Sequence, residues 1–308
     1  MRRWPRGHRC GLFPLDDLLG NNKMADTGAA EKALKDGDAL RALKLLTEQV
    51  RAQPQNAKLR VFLFQLMCVL GQWDRALNQL NVSLELDAGT LPMVQTYREA
   101  IACEALRLKV FAGLKAPMLF GEPETWVALL IEAMLREGRN EMDAARQLRE
   151  QALELAPATA GTADGQAFAW IADADTRLGP MLEAIINGKY YWLPWNRLIQ
   201  VTIDPPEDLR DAVWMPAHFE FTNGGEVVGL IPTRYPDTVL ASGDALALAR
   251  ATDWRESTPG VFTGLGQRLI TTDSGEFGLM DLRSVTLTHA EPTPAELTPA
   301  EPDPAGTD

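Results

Sequence analysis

The sequence predicts a multidomain α+β protein: an N-terminal α-α superhelix of paired helices, followed by a small β-barrel-like domain. Three observations predict it. Residues 37–46 align with residues 71–80 at an offset of 34, matching Gly37 with Gly71, Arg41 with Arg75, Ala42 with Ala76, Leu43 with Leu77 and Leu46 with Leu80. After Gly188 the apolar residues stop recurring at helical spacing and begin to alternate. The chain has 308 residues, 46% hydrophobic and 23% charged, which suits a globular chain with two cores.

A period of 34 belongs to the tetratricopeptide class of helix–turn–helix repeats, which pack small residues between paired helices and leave a groove for a peptide or helix. The first helix occupies 26–36 and stops at Gly37. The second runs from Asp38, a suitable N-cap, to Ala52, and Pro54 closes the hairpin. Residues 57–70 are apolar nearly all round, so this helix should be buried between neighbours. Gly71 ends it and Trp73–Leu86 is its partner. A third partner helix falls at 141–155, with Ala145 and Ala152 as its small positions and Pro157 as its stop. Helices at 92–112 and 123–137 intervene off the period, giving about seven helices over 26–157.

The small-residue stretch 156–162 marks the change of domain. Residues 164–188 are expected to add one or two connecting helices, at 167–177 and 180–187. Strands are expected at 198–203, 218–222, 226–231, 261–265, 267–272, 278–282 and 285–288, with Asn223-Gly224-Gly225 as a hairpin turn. The organisation is then a leader over 1–24, a repeat domain over 25–160, connecting helices and a β-rich domain over 161–289, and an acidic Pro-rich tail over 290–308. Leader and tail are both expected to be disordered. The leader has the basic start of a signal peptide, but Asp16-Asp17 interrupts its apolar part. Translation from Met24 is the preferred reading.

The net charge of −12 divides as +3 in the leader, −2 in the repeats, −8 in the β half and −5 in the tail. No domain is basic, which argues against a nucleic-acid or anionic-membrane partner. No apolar run reaches membrane-spanning length. Three separated cysteines (Cys10, Cys68, Cys103) argue against a disulfide framework or a zinc site and for a reducing compartment.

Chemistry-bearing motifs are sparse. The three histidines (His8, His218, His289) show no triad spacing. Residues 264–268, Gly-Leu-Gly-Gln-Arg, resemble a phosphate loop but lack its third glycine and its Gly-Lys-Ser/Thr, so a turn is preferred. Asp173 and Asp175 are expected on a solvated helix surface. Tyr190, Tyr191, Trp192 and Trp195 suit core filling at the domain junction, or an aromatic pocket for a partner. Arg210 and Asp211 suit structural ion pairs. On the apolar helix, Lys58, Val61, Phe62, Gln65 and Cys68 fall on or near the face that lines a repeat groove, with core filling as the alternative and the preferred reading for Phe62. Partner-binding candidates are therefore Lys58, Val61, Phe62, Gln65, Tyr191, Trp192, Trp195, Trp254 and Arg268. No catalytic, cofactor or metal residue is assigned.

The second half carries an ordered series: Tyr191-Trp-Leu-Pro-Trp195, Leu209-Arg-Asp-Ala-Val-Trp-Met-Pro-Ala217, Leu230-Ile-Pro-Thr-Arg-Tyr235, Ala249-Arg-Ala-Thr-Asp-Trp254, Gly264–Arg268 and Leu279-Met-Asp-Leu-Arg283. In this series the chain resembles the ImpE family of bacterial type VI secretion accessory proteins, over about residues 28–288. The resemblance implies helical repeats joined to a small β domain, and a cytoplasmic, non-catalytic role. It implies binding of the contractile-sheath small subunit through that subunit's N-terminal helix, with the sheath-disassembly ATPase as an indirect partner. A generic repeat adaptor, or an enzyme with its site in the β domain around Gly264–Arg268, Tyr191 and Trp254, are the alternatives.

Overall fold

The structure is a computed structural model, and it describes residues 27–240, 243–258 and 260–289. The expectations for the leader and the acidic tail lie outside these residues. Seven helices fill the first half: α1 (Gly28–Lys35), α2 (Ala39–Ala52), α3 (Ala57–Val69), α4 (Trp73–Leu86), α5 (Leu91–Phe111), α6 (Thr125–Gly138) and α7 (Met142–Leu155).

Three of the helix pairs are built alike. The turns of α1/α2, α3/α4 and α6/α7 each pass through one left-handed residue: Gly37 (φ 79°), Gly71 (φ 65°) and Asn140 (φ 63°). In each, the next residue donates its N–H to a carbonyl five residues back. The pairs are Asp38 to Ala33 (2.8 Å), Gln72 to Met67 (2.8 Å) and Glu141 to Arg136 (2.9 Å). This arrangement satisfies the open carbonyls at the end of the first helix. Asn140 falls one residue beyond two further periods, and it tolerates positive φ better than most residues.

Asp38 caps α2 as expected, accepting from the Arg41 N–H at 2.8 Å. Ala42, Ala76 and Ala145 are fully buried between the paired helices. Arg149 replaces Leu46 and Leu80 at the next buried position and is held by Glu137 at 2.8 Å. The long helix α5 stands outside the pairing and carries the junction with the second half.

Residues 164–188 are not helical. They form β2 (Gln166–Phe168), β3 (Ile171–Asp173) and β4 (Met181–Ile186), after β1 (Gly161–Ala163). The helical expectation failed at β4 because all six of its residues are buried. A strand covered on both faces shows no alternation, and Met, Leu, Glu and Ala favour helix. The aromatic cluster forms β5 (Lys189–Pro194). Then come β6 (Leu198–Ile203), β7 (Trp214–Phe221), β8 (Glu226–Pro232), β9 (Thr252–Thr258), β10 (Val261–Gly266), β11 (Leu269–Thr272), β12 (Glu276–Gly278) and β13 (Ser284–Leu287). The Asn223–Gly225 hairpin joins β7 to β8, with Gly224 left-handed at φ 80°.

Eight strands make one sheet in the order β2-β1-β13-β6-β7-β8-β4-β5. The sheet is open, with β2 and β5 as its end strands, so the expected barrel-like domain is not a closed ring. A two-stranded sheet (β9, β10) and a three-stranded one (β12-β11-β3) complete the domain. The segment after α5 covers the edge of β5: Trp192 N–H donates to the Met118 carbonyl at 3.0 Å, and Phe120 stacks on Tyr191 at 4.3 Å.

Candidate functional site

The family-like motifs of the second half converge on a buried polar cluster at the junction of the two halves. Arg268 is wholly buried and ion-paired with both Asp173 and Glu183. Its Nε also donates to the Pro232 carbonyl at 3.0 Å. Helix α5 contributes Arg107, which reaches Glu183 at 2.6 and 3.0 Å, and Glu104, which accepts from the Trp214 indole at 2.8 Å. Tyr190 donates to Glu183 at 2.5 Å and accepts from the Trp192 indole at 2.6 Å. Tyr235 donates to Asp173 at 3.1 Å. The cluster continues through Asp175, which pairs with Arg177 at 2.6 Å and accepts from the Gly264 N–H at 3.0 Å.

The second half also grips the repeats directly. Arg234 is wholly buried and donates to the carbonyls of Val69 (2.7 Å) and Cys68 (3.3 Å) at the end of α3. Around it, Trp214 meets Trp73 and Tyr97 at 5.8 and 5.7 Å between ring centres. The Arg210 guanidinium lies 4.8 Å from the Tyr97 ring centre, and Arg210 also pairs with Asp208. The Asp211 carboxylate accepts the N–H groups of Glu207 and Asp208, each at 2.7 Å. Arg210 and Asp211 thus fix the 3-10 turn Leu209–Ala212, which packs on α3.

Burial works against charge throughout, and neighbours decide the outcome. Burial pushes Glu183 up, but Arg107 and Arg268 outweigh it and hold the carboxyl at about 2. Asp173 is pushed by burial up to about 6, with Arg268 pulling the other way. Asp211 is likewise raised by burial to about 6. Arg234, bonded to carbonyls and not to a carboxylate, is lowered by burial to about 10. The cavity beside the cluster, lined by Trp73, Glu104, Arg107 and Tyr235, measures about 10 Å³. A space of that size admits about one water and no substrate. The cluster is a fastening between two domains.

The nine candidates fall on separate elements. Trp192, Trp195 and Arg268 are buried to within 1% and present no surface to a partner. The core-filling reading of the two tryptophans is the one their burial fits. Gln65 is 5% exposed. Lys58 is exposed, and Val61 and Phe62 are half-buried on α3. Tyr191 is half-buried under Phe120, and Trp254 is half-buried against Tyr235 at 5.6 Å. Asp173 and Asp175 correct the expectation of a solvated helix: they lie on and beside a strand, wholly enclosed, because Arg268 and Arg177 supply their counter-charges. The 264–268 stretch is a strand end and turn with Gly266 left-handed at φ 82° and β11 beyond, as the turn reading has it. Glu104, Arg107 and Glu183 were missed. Charged residues inside apolar runs were their only signal in the sequence.

Among the described residues no cluster of His, Cys, Asp and Glu suits a metal ion, and no helix is long and apolar enough to cross a membrane.

The architecture defines a class: a tetratricopeptide-like scaffold locked onto an open β-rich domain by a shared buried polar cluster. The tetratricopeptide repeat model matches residues 33–101, and the ImpE protein model matches residues 165–286. The type VI secretion system accessory component TagJ of Pseudomonas aeruginosa is 52% identical over 266 residues, covering 86% of this chain and 92% of that one. The crystal structure of protein VPA1032 from Vibrio parahaemolyticus superposes with a TM-score of 0.77 at 28% identity, over 85% of this chain and 98% of the other. The chain belongs to the ImpE family.

Proposed function

We propose that this chain is a non-catalytic, cytoplasmic adaptor of the type VI secretion system. Its partner is the small subunit of the contractile sheath, taken through that subunit's N-terminal helix, and its role is in sheath handling or disassembly. The disassembly ATPase is an indirect partner. The observation that carries this reading is the 52% identity to TagJ over nearly the whole of that accessory component. The helical repeats support it, because paired helices offer grooves into which a partner helix lays an apolar face. Of the residues considered from the sequence, Lys58, Val61, Phe62, Tyr191 and Trp254 keep the exposure that contact requires.

The test is a pull-down with the full chain against the cognate sheath small subunit, with and without its first helix. Recovery of the intact subunit and loss of the truncated one is expected. Equal recovery of both would overturn the helix mode, and recovery of neither would overturn the partner.

A further inference from the structure

The face of α3 that a repeat groove would offer is partly taken by the chain itself, since the Leu209–Ala212 turn packs on α3 and Arg234 caps its end. A groove remains open elsewhere on the repeats, between α2, α3 and α4, with a volume of about 460 Å³. Its apolar part comes from Val50, Leu63 and Met67, each at least nine-tenths buried. Arg51, Arg60 and Arg75 stand around it, and among the described residues no carboxylate lines it.

That charge is anomalous in a chain of net charge −12. Eight other arginines, Arg107, Arg136, Arg146, Arg149, Arg177, Arg197, Arg210 and Arg268, face carboxylates within 4.0 Å. Among the described residues Arg51, Arg60 and Arg75 form no such pair. Arg60 is nevertheless held in place, with Nε on the Pro54 carbonyl at 3.0 Å and a terminal nitrogen on the Gln79 side chain at 2.9 Å. A guanidinium has five N–H donors, so most of its capacity remains for a ligand. Arg75 leans on the Gln72 side chain, again a neutral partner.

We infer that this groove is a docking site for an acidic amphipathic helix of a partner protein. An apolar side chain of the helix enters between Val50, Leu63 and Met67, and flanking carboxylates meet the three guanidiniums. Arginine suits this because its planar fork matches a carboxylate and is weakly hydrated. The inference takes from the proposed function only that the chain binds a protein helix, and it assigns the charge such a helix must carry.

The experiment uses the full chain and a fluorescein-labelled model peptide of Glu, Leu and Ala with helical spacing of its leucines. A matched peptide with Lys for Glu is the control, and binding is read by fluorescence anisotropy. The Glu peptide should bind, weaken as salt is raised, and lose roughly tenfold in affinity with the double variant Arg51→Glu/Arg75→Glu. Both positions are exposed, so the variant should keep the wild-type melting temperature. Lys115→Glu, on a distant exposed loop, should bind as wild type. Equal binding of the Glu and Lys peptides, no binding of the Glu peptide, or an unchanged affinity in the double variant would each overturn the inference. Repeating the double variant against the sheath small subunit separates the two readings. Undiminished capture there keeps the proposed partner and removes this groove. Failed capture by the wild type, with the Glu peptide still binding, does the reverse.

Discussion

Replacing Glu183 by Gln tests whether the buried cluster fastens the two halves together. The Glu183 carboxylate accepts two bonds from Arg107, one from Arg268 and one from Tyr190, which uses its acceptor sites fully. Glutamine keeps the shape but removes the charge and turns two N–H donors toward two guanidiniums. Arg268 keeps Asp173, and Arg107 keeps the Arg234 carbonyl and Glu104 at 3.4 Å, so neither is wholly abandoned. Removing one partner of a buried ion pair typically costs about 3–5 kcal/mol. At roughly 2–4 °C per kcal/mol for a chain of this size, the melting temperature should fall by about 6–20 °C at neutral pH. Circular dichroism at 222 nm on the full chain reads this directly. A fall of less than about 3 °C would refute the reasoning.

The pH dependence gives a second check on the same variant. Glu183 is held at about 2 in the fold, below its ordinary 4.5. Its stabilisation is therefore complete above pH 4.5 and is lost as the pH falls toward 2. Asp173 works in the opposite sense. Its folded value of about 6 exceeds the ordinary 3.8, so its contribution is greatest in acid and is lost as the pH rises through 6. Between pH 5 and 3, Glu183→Gln should therefore lose less stability than the wild type, and the two melting curves should converge.

Three further outcomes are expected. Gly264→Ala places a methyl group 2.2 Å from the Tyr235 ring, which is itself buried, so urea denaturation should show a loss of about 1–3 kcal/mol. Phe62 packs on the core but stays half-exposed, so Phe62→Ala should cost less than the roughly 3–5 kcal/mol of a fully buried phenylalanine. A loss of partner capture with stability nearly intact would place Phe62 in the binding surface. Asp38→Ala removes the α2 cap and should cost about 1 kcal/mol, while Asp38→Asn should keep most of it.

The repeat half was legible because its signals are local. Gly37 and Gly71 announce their turns by composition, Asp38 announces its cap, and the alanines between paired helices keep their spacing. The third turn was harder, because Asn140 performs the glycine's task and the period has slipped by one residue. In the second half, β6 and β8 alternate and were found, whereas β4 is enclosed on both faces and carries no alternation to read. The polar cluster could not be read from spacing. Glu104, Arg107, Asp173, Glu183 and Arg268 span more than half of the chain, and only the topology brings them together. The open basic groove was hidden for the same reason: Arg51, Arg60 and Arg75 stand on or beside three different helices, and the chain's overall acidity masks them.

Arg234 reaches from the second half to the last carbonyls of α3, and Arg107 reaches from α5 to Glu183. Neither half is therefore a portable module. A chimera that joins the repeats of one relative to the sheet of another supplies Arg234 with helix-end carbonyls in any case, but it must inherit both Arg107 and Glu183, or it will carry a buried charge short of its counterpart. Divergence between relatives should accordingly be free on the outer helix faces and tied together, pair by pair, across this seam.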